Sequence, residues 1–334
     1  MSAVLFGAGT PFAKLLLGDV GPWLLAGLLY TGSGLGLLAW RLVRRAPRVR
    51  LQRREIAPLV GAVFFGGLIA PVLLMAGLAN MPASGASLLL NAEAVFTAVL
   101  AWFVFHENFD RRIALGMLAL VAGAVVLSWS SAPTWAGVLG PLAIAGACVA
   151  WGLDNNLTRK VSLADPLQIV ELKGLIAGPV SLAIGFSAGG SLPPLSTALL
   201  AGLVGFIGYG VSLALFVRAL RDLGTARTGT YFSTAPFVGA VAALIVLGEP
   251  VTLQLGAAGL LMAIGVWLHL TEVHEHEHEH EPMEHEHRHV HDAHHQHAHS
   301  PDDPPGEPHT HRHRHERMRH KHPHVPDMHH THRH

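Results

Sequence analysis

The sequence predicts an all-α, polytopic membrane protein of about ten transmembrane helices, built as two inverted five-helix repeats and followed by a histidine-rich tail. Three observations predict it: long apolar runs joined by short connections, basic residues confined to alternate connections, and a motif that occurs twice. Half of the 334 residues are hydrophobic and 14% are charged, whereas a soluble domain carries roughly 25% charged residues. The bilayer is therefore the natural solvent for most of the chain. The tail is different: 23 of the 25 histidines lie between Thr271 and His334, where large apolar side chains almost vanish. The chain thus divides into a first repeat over 1–130, a second over 131–270 and a tail over 271–334. The formal net charge of zero sums a basic body with an acidic tail, so charge is informative only by segment. The single cysteine, Cys148, excludes an intrachain disulfide and reads as a small packing residue.

Crossing about 30 Å of hydrocarbon takes roughly 17–25 apolar residues. Candidate spans fall near 2–17, 22–42, 57–79, 84–105, 112–130, 135–153, 166–188, 196–217, 228–247 and 253–270. The first begins at Met1 without a basic leading segment and runs through Lys14, which predicts a slightly short first helix rather than a signal peptide.

Basic residues follow every second span. Arg41, Arg44, Arg45, Arg48, Arg50, Arg53 and Arg54 follow the second, Arg111 and Arg112 the fourth, Arg159 and Lys160 the sixth, and Arg218, Arg221 and Arg227 the eighth. The alternate connections carry no Lys or Arg, and the positive-inside rule then places both termini in the cytoplasm. A missed or invented span would scatter the basic residues over both faces, so the alternation also supports the count of ten.

The body repeats itself. The run from Asn91 through Glu93 to His106 and Glu107 aligns with the run from Ser233 to Gly248 and Glu249, each an apolar helix ending in glutamate. A second echo sets Phe6-Gly7 through Lys14 against Trp151-Gly152 through Arg159. Each repeat then holds five spans, and an odd number inverts the second copy relative to the first. Inverted halves give a structure two nearly equivalent conformations around a midplane site.

These paired motifs, with the Gly248-Glu249-Pro250 ending, resemble those of the EamA-type transporters of the drug/metabolite transporter superfamily, over nearly all of residues 1–270. The resemblance implies ten helices and the carriage of small metabolites, and it suggests gating or helix-end hydrogen bonding for Glu107 and Glu249. The histidine-rich tail departs from the common pattern.

Ionisable residues near the bilayer centre are costly and usually face a cavity or a partner. Glu93 lies about ten residues from either end of the fourth span, beside Asn91. It reads as a proton-exchanging or cation-binding carboxylate, against a purely structural pair with Lys14 or Lys173. Lys14 meets an anionic group or snorkels to the interface. Glu171 and Lys173, two residues apart, fall on different helix faces and need different partners. Trp151 and Tyr209 are soft candidates for a cavity wall, against the common anchoring role of aromatics at the interface. Asp154, Asn155 and Asn156 read as a solvated helix end. The candidate substrate site is therefore Glu93, Asn91, Lys14, Trp151, Tyr209, Glu171 and Lys173.

In the tail, histidines alternate with other residues at His274, His276, His278 and His280; at His285, His287, His289 and His291; at His309, His311, His313 and His315; and at His320, His322 and His324. Imidazole suits zinc, nickel, cobalt and copper, and in an extended chain every second residue shares a face, so these are candidate metal ligands. A solubilising tail, a pH-sensitive segment and a cloning artefact are the bland alternatives. Pro282, Pro301, Pro304, Pro305 and Pro308, with the scarcity of apolar residues, predict a disordered tail until a metal or a partner orders it. Acidic residues crowd its first part and Arg312, Arg314, Arg317, Arg319 and Lys321 its second, so its ends can attract each other or the anionic leaflet.

The chain reads as a secondary transporter and not an enzyme. It has no glycine-rich phosphate loop followed by Lys-Ser or Lys-Thr, which points to an ion or substrate gradient as the energy source. Its expected partners are the lipid bilayer of a bacterial-type inner membrane, a small-molecule substrate and a divalent metal ion, with no nucleic acid; the oligomeric state stays open. No cofactor is required beyond a Zn, Ni, Co or Cu ion on the tail. Two other readings are a transition-metal transporter fed by the tail and a metal or pH sensor without transport. The spans hold no histidine cluster, since His106 and His269 lie at helix ends, and this favours a sensor or buffer over a metal pathway.

Overall fold

A computed structural model describes residues 1–45, 53–105, 111–129, 135–159, 161, 165–223, 228, 231–271, 274–280, 283–289, 309–315 and 318–324. His106, Glu107, Arg48, Arg50, Lys160, Arg227, His291 and the tail prolines Pro282, Pro301, Pro304, Pro305 and Pro308 lie outside the described residues. The chain forms two units, Met1–Glu272 and Val273–His334.

The first unit is all-helical. Its helices are α1 (Ser2–Leu16), α2 (Pro22–Arg44), α3 (Arg53–Ala62), α4 (Ala70–Asn80), α5 (Ala83–Leu89), α6 (Ala92–Phe105), α7 (Arg111–Ser128), α8 (Trp135–Arg159), α9 (Pro166–Ser187), α10 (Leu195–Gly205), α11 (Ser212–Leu223), α12 (Ala235–Leu247) and α13 (Leu253–Leu270). A π-helical stretch, Val63–Ile69, joins α3 to α4, and another, Phe206–Val211, joins α10 to α11, so each of these sets is one pass. Among the described residues, seven passes are long and apolar enough to cross a membrane. The short apolar helices α1 and α12 and the broken pass α5–α6 bring the described passes to the ten that the sequence predicts.

Local chemistry sets many of the ends. Proline occupies the first turn of α2 and of α9, where a missing N–H costs nothing. Asp165 and Thr252 cap α9 and α13 through the amides of Leu167 and Leu255. Gly248, at φ 65°, ends α12 in the left-handed region.

Two expectations about the passes are corrected. The fourth pass is not a continuous helix over 84–105: it breaks at Leu90–Asn91, between α5 and α6. The sixth does not end at 153 but continues as α8 to Arg159, because its polar last turns face the interior of the bundle. A search for apolar runs stops where such residues begin.

The repeat is visible in these irregularities. Under the alignment of Asn91 with Ser233, the stretch Val63–Ile69 corresponds to 205–211, which matches the second π-helical stretch. The break beside Asn91 likewise corresponds to a turn at Ser233–Thr234 before α12.

Helix α2 packs on α9 at backbone distance: a methyl group on Gly34 would overlap the backbone of Gly174 and Leu175, and one on Gly178 would overlap Thr31. This close approach is the use of small residues expected between membrane helices, which lack a hydrophobic drive to associate. Helix α13 packs on α7, α1 on α12, and α8 on both α4 and α6.

The second unit contains strands β1 (His274–His280), β2 (Met283–His289), β3 (His309–His315) and β4 (Met318–His324). β1 pairs antiparallel with β4, and β2 with β3. Proline and low apolarity predict disorder, but the strict two-residue alternation of the tail is also the period of a strand.

Candidate functional site

Glu93 sits in the first turn of α6, just past the break in the fourth pass. Asn91, buried in that break, donates from Nδ2 to the Leu88 carbonyl at 3.0 Å, and Met262 Sδ lies 3.9 Å away. Cys148 Sγ lies 3.7 Å from the Leu89 carbonyl and 3.9 Å from that of Leu90. The half-buried Glu93 carboxylate accepts a hydrogen bond from Asn155 Nδ2 on α8 at 2.7 Å. Among the described residues it makes no ion pair, with Lys14, Lys173 or any other cation.

Next to Asn155, Asp154 is buried and accepts from Lys173 Nζ at 2.5 Å and Thr158 Oγ1 at 2.8 Å. Lys173 Nζ also donates to Thr158 Oγ1 at 3.0 Å. The first π-helical stretch presses on this group: a methyl on Gly66 would overlap the Asp154 carboxylate, so glycine is what admits it. The Gly66 carbonyl accepts from the Tyr30 hydroxyl at 2.7 Å. Such π-helical segments free backbone groups from the regular ladder and recur at functional sites.

Aromatic rings gather beside these polar groups. Phe6 packs edge-on against Trp151 at 6.2 Å between centroids and against Tyr209 at 5.6 Å. Tyr209 also meets Tyr30 at 5.6 Å, and Phe6 meets Phe232 at 5.3 Å. Trp151 and Tyr209 are buried, so neither anchors the membrane interface.

The remaining predicted residues separate into two other groups. Glu171 is buried against Arg41, with Nε to Oε2 at 3.3 Å, and Arg41 also meets Asp165 at 3.6 Å and Gln168 Oε1 at 3.5 Å. This network ties the ends of α2 and α9. Lys14 Nζ donates to the carbonyls of Leu78 and, at 3.1 Å, Met81. Glu249 accepts from the amides of Ala83 at 2.7 Å and Ser84 at 2.9 Å. The two charges thus hold the carbonyl end of α4 and the amide end of α5, complementing the partial charges of those termini. His269 Nε2 lies 3.2 Å from the Ile113 carbonyl.

The structure therefore brings Glu93, Asn91, Trp151, Tyr209 and Lys173 to one region, and places Glu171 and Lys14 in end-of-helix networks. Asp154, Asn155, Thr158 and Tyr30 complete that region without having been predicted as part of it. The repeat alignment holds one signal for them: it sets Asp154 against Gly9 and Glu93 against Ala235, so each acid stands alone where its counterpart half has a small residue. Among the described residues, no group of three or more His, Cys, Asp or Glu is placed to hold a metal ion.

The chain is similar to transporters along most of its length. An "Uncharacterized transporter" of Methanothermobacter thermautotrophicus is 27% identical over 80% of this chain and 83% of its own. The "Uncharacterized transporter YvbV" of Bacillus subtilis is 29% identical over 78% of this chain and 86% of its own. A "Probable amino-acid metabolite efflux pump" of Salmonella typhimurium is 27% identical over 80% of this chain and 91% of its own. A crystal structure of a protein with 20% identity superposes with a TM-score of 0.61, over 80% of this chain and 93% of that one, and so shares the fold. The model of the EamA-like transporter family matches residues 1–129 and 138–271, one match for each five-pass repeat. With ten helical passes, duplicated irregularities and a polar site within them, the chain belongs to the EamA-like transporter family and is a multi-pass membrane transporter of a small metabolite.

Proposed function

We propose that the protein moves a small organic metabolite across a bacterial-type inner membrane by alternating access, with both termini in the cytoplasm and a tail that binds a transition-metal ion and regulates transport. One observation carries the substrate reading. Asp154 is paired with Lys173, whereas Glu93 meets only the neutral amide of Asn155 among its described hydrogen-bond partners, beside an aromatic wall. Such a site offers one negative charge and a flat apolar surface. An amine-bearing organic solute matches it, with Glu93 and Asn155 as polar anchors and Phe6, Trp151 and Tyr209 as the wall. The name of the Salmonella relative adds support for an amino-acid-derived metabolite and for export.

A metal cargo fits less well, since the described part of the membrane body offers no cluster of metal-ligating side chains. On this reading a metal ion binds the tail instead. Accumulation of metals and amino-acid metabolites in cells carrying the full chain, a chain ending at Thr271 or a Glu93→Gln variant tests the reading. Metabolite movement lost with Glu93→Gln and retained without the tail supports it. Metal movement lost in both variants replaces it with metal transport, and no movement of either leaves a sensor.

A further inference from the structure

The charges inside the bundle differ in whether they are already matched. Lys173 Nζ lies 2.5 Å from Asp154 Oδ1, and Thr158 donates to the same carboxylate. Arg41 meets Glu171 and Asp165, and Lys14 donates to the carbonyls of Leu78 and Met81. Glu93 accepts instead from the neutral amide of Asn155. Among the described residues, the region of Glu93, Asp154 and Lys173 therefore holds one formal negative charge in excess.

The matched pair borders the same aromatic wall as Glu93. Asn155 lies one turn beyond Trp151 on α8, and Trp151 meets Phe6, which meets Tyr209. Tyr209 packs on Tyr30, whose hydroxyl donates to the Gly66 carbonyl, and a methyl group on Gly66 would overlap the Asp154 carboxylate.

A free α-amino acid carries an ammonium and a carboxylate. The ammonium has its acceptor in Glu93, but the carboxylate needs donors of its own, and a buried anion without them is strongly disfavoured. Backbone amides at a broken membrane helix are one source of such donors. Here they turn inward. At the break in the fourth pass, the amides of Leu90, Asn91, Glu93 and Ala94 donate to the carbonyls of Ser87, Leu88, Leu90 and Asn91. At the corresponding start of α12, Pro236 has no N–H, and the amides of Phe237 and Val238 donate to the Thr234 carbonyl. That leaves Lys173, among the described residues, as the cation of this region, and Asp154 holds it.

We propose that the cargo is a cationic amine without a free carboxylate, and that Asp154 sets this preference by engaging Lys173. Such a solute neutralises the region, one positive charge against one negative. A zwitterion leaves the excess negative charge in place and adds a carboxylate with no cation to meet. Asp154 is then a specificity-determining residue that acts through Lys173. The inference deepens the reading of Glu93 as the anchor of an amine and rests on it.

The test measures equilibrium binding to the full-length protein in lipid nanodiscs, using matched pairs in which the amine is the amino acid without its carboxylate. The pairs are phenethylamine and phenylalanine, tryptamine and tryptophan, and isoamylamine and leucine. In at least one pair the amine is expected to bind at least about ten-fold more tightly than the amino acid, with that binding lost in Glu93→Gln. Asp154→Asn keeps the shape of the side chain and releases the Lys173 charge, so it is expected to move the ratio at least about ten-fold toward the amino acid. Where that variant does not fold, the ratio in the parent protein decides. An amino acid bound as tightly as its amine, with both lost in Glu93→Gln, overturns the exclusion of the carboxylate and leaves Glu93 as the anchor. A ratio unmoved in folded Asp154→Asn overturns the part given to Asp154. Amine binding that survives Glu93→Gln, or no binding by any of the six compounds, overturns the amine reading as well.

Discussion

Glu93, half-buried, and Lys173, buried, show how differently two charges within the bundle can be placed. Lys173 and Asp154 satisfy each other, with Thr158 as a third partner, and this makes them part of the fold. Removing one member of a buried pair leaves the other uncompensated, at a cost of about 3–5 kcal/mol. Lys173→Met is therefore expected to lower the melting temperature sharply, and adding Asp154→Leu to restore most of it; equal melting of the single and double variants in detergent would contradict this. Glu93→Gln keeps the shape and the hydrogen-bonding capacity toward Asn155, so it is expected to abolish transport with a melting temperature close to that of the parent. The place of Glu93 within the fourth pass was legible, about ten residues from either end of that apolar run. Asp154 was not. It stands in a run with Asn155 and Asn156 that reads as a helix leaving the membrane, and only the packing of α8 shows those last turns facing inward.

At the level of elements, the break between α4 and α5 at Met81–Pro82 is the most directly testable. Lys14 holds the carbonyls on one side of it and Glu249 the amides on the other, joining α1 and the end of α12 to the same junction. Ser84 is almost fully buried there. In a Ser84→Cys background, Glu249→Gln is expected to raise the rate of labelling by a water-soluble maleimide several-fold, and an unchanged rate would show that the junction holds without the carboxylate. The close packing of α2 and α9 gives a second expectation. Gly174→Leu would overlap the backbone at Gly34, and overpacking of this kind costs about 1–3 kcal/mol or more. Loss of the monodisperse protein on size exclusion checks it. Helix existence was legible from apolar length, and the ends at Gly248 and at the prolines from turn chemistry. The π-helical stretches and the break at Leu90–Asn91 were not, since they depend on which neighbour presses against Gly66 and on where the carbonyls of a broken turn find donors.

For the whole molecule, the alternation of basic residues fixed the number of passes more firmly than hydropathy could, because α1 and α12 are short. The two-residue alternation of the tail was legible but its pairing was not: a period of two suits both an extended coil and a strand, and β1 pairs with a segment about forty to fifty residues further along the chain. A chain ending at Thr271 is expected to transport the metabolite at the parent rate and to lose any dependence on added zinc; a rate that falls with truncation in metal-free medium would give the tail a direct part in transport.

The repeat is symmetric in its helices and unsymmetric in its charges, since Glu93 corresponds to Ala235 and Asp154 to Gly9. A frame with two equal halves would present its site to either side with the same ease, like a door hung on a neutral hinge. On the alternating-access reading proposed above, the solitary charges weight that hinge. Which side loads first is then a property of the empty protein, although no such weighting can alter the final gradient that the driving force permits. Half-saturation concentrations measured from the two faces of right-side-out and inverted vesicles should differ, and replacing Glu93 should bring them together for whatever residual flux remains.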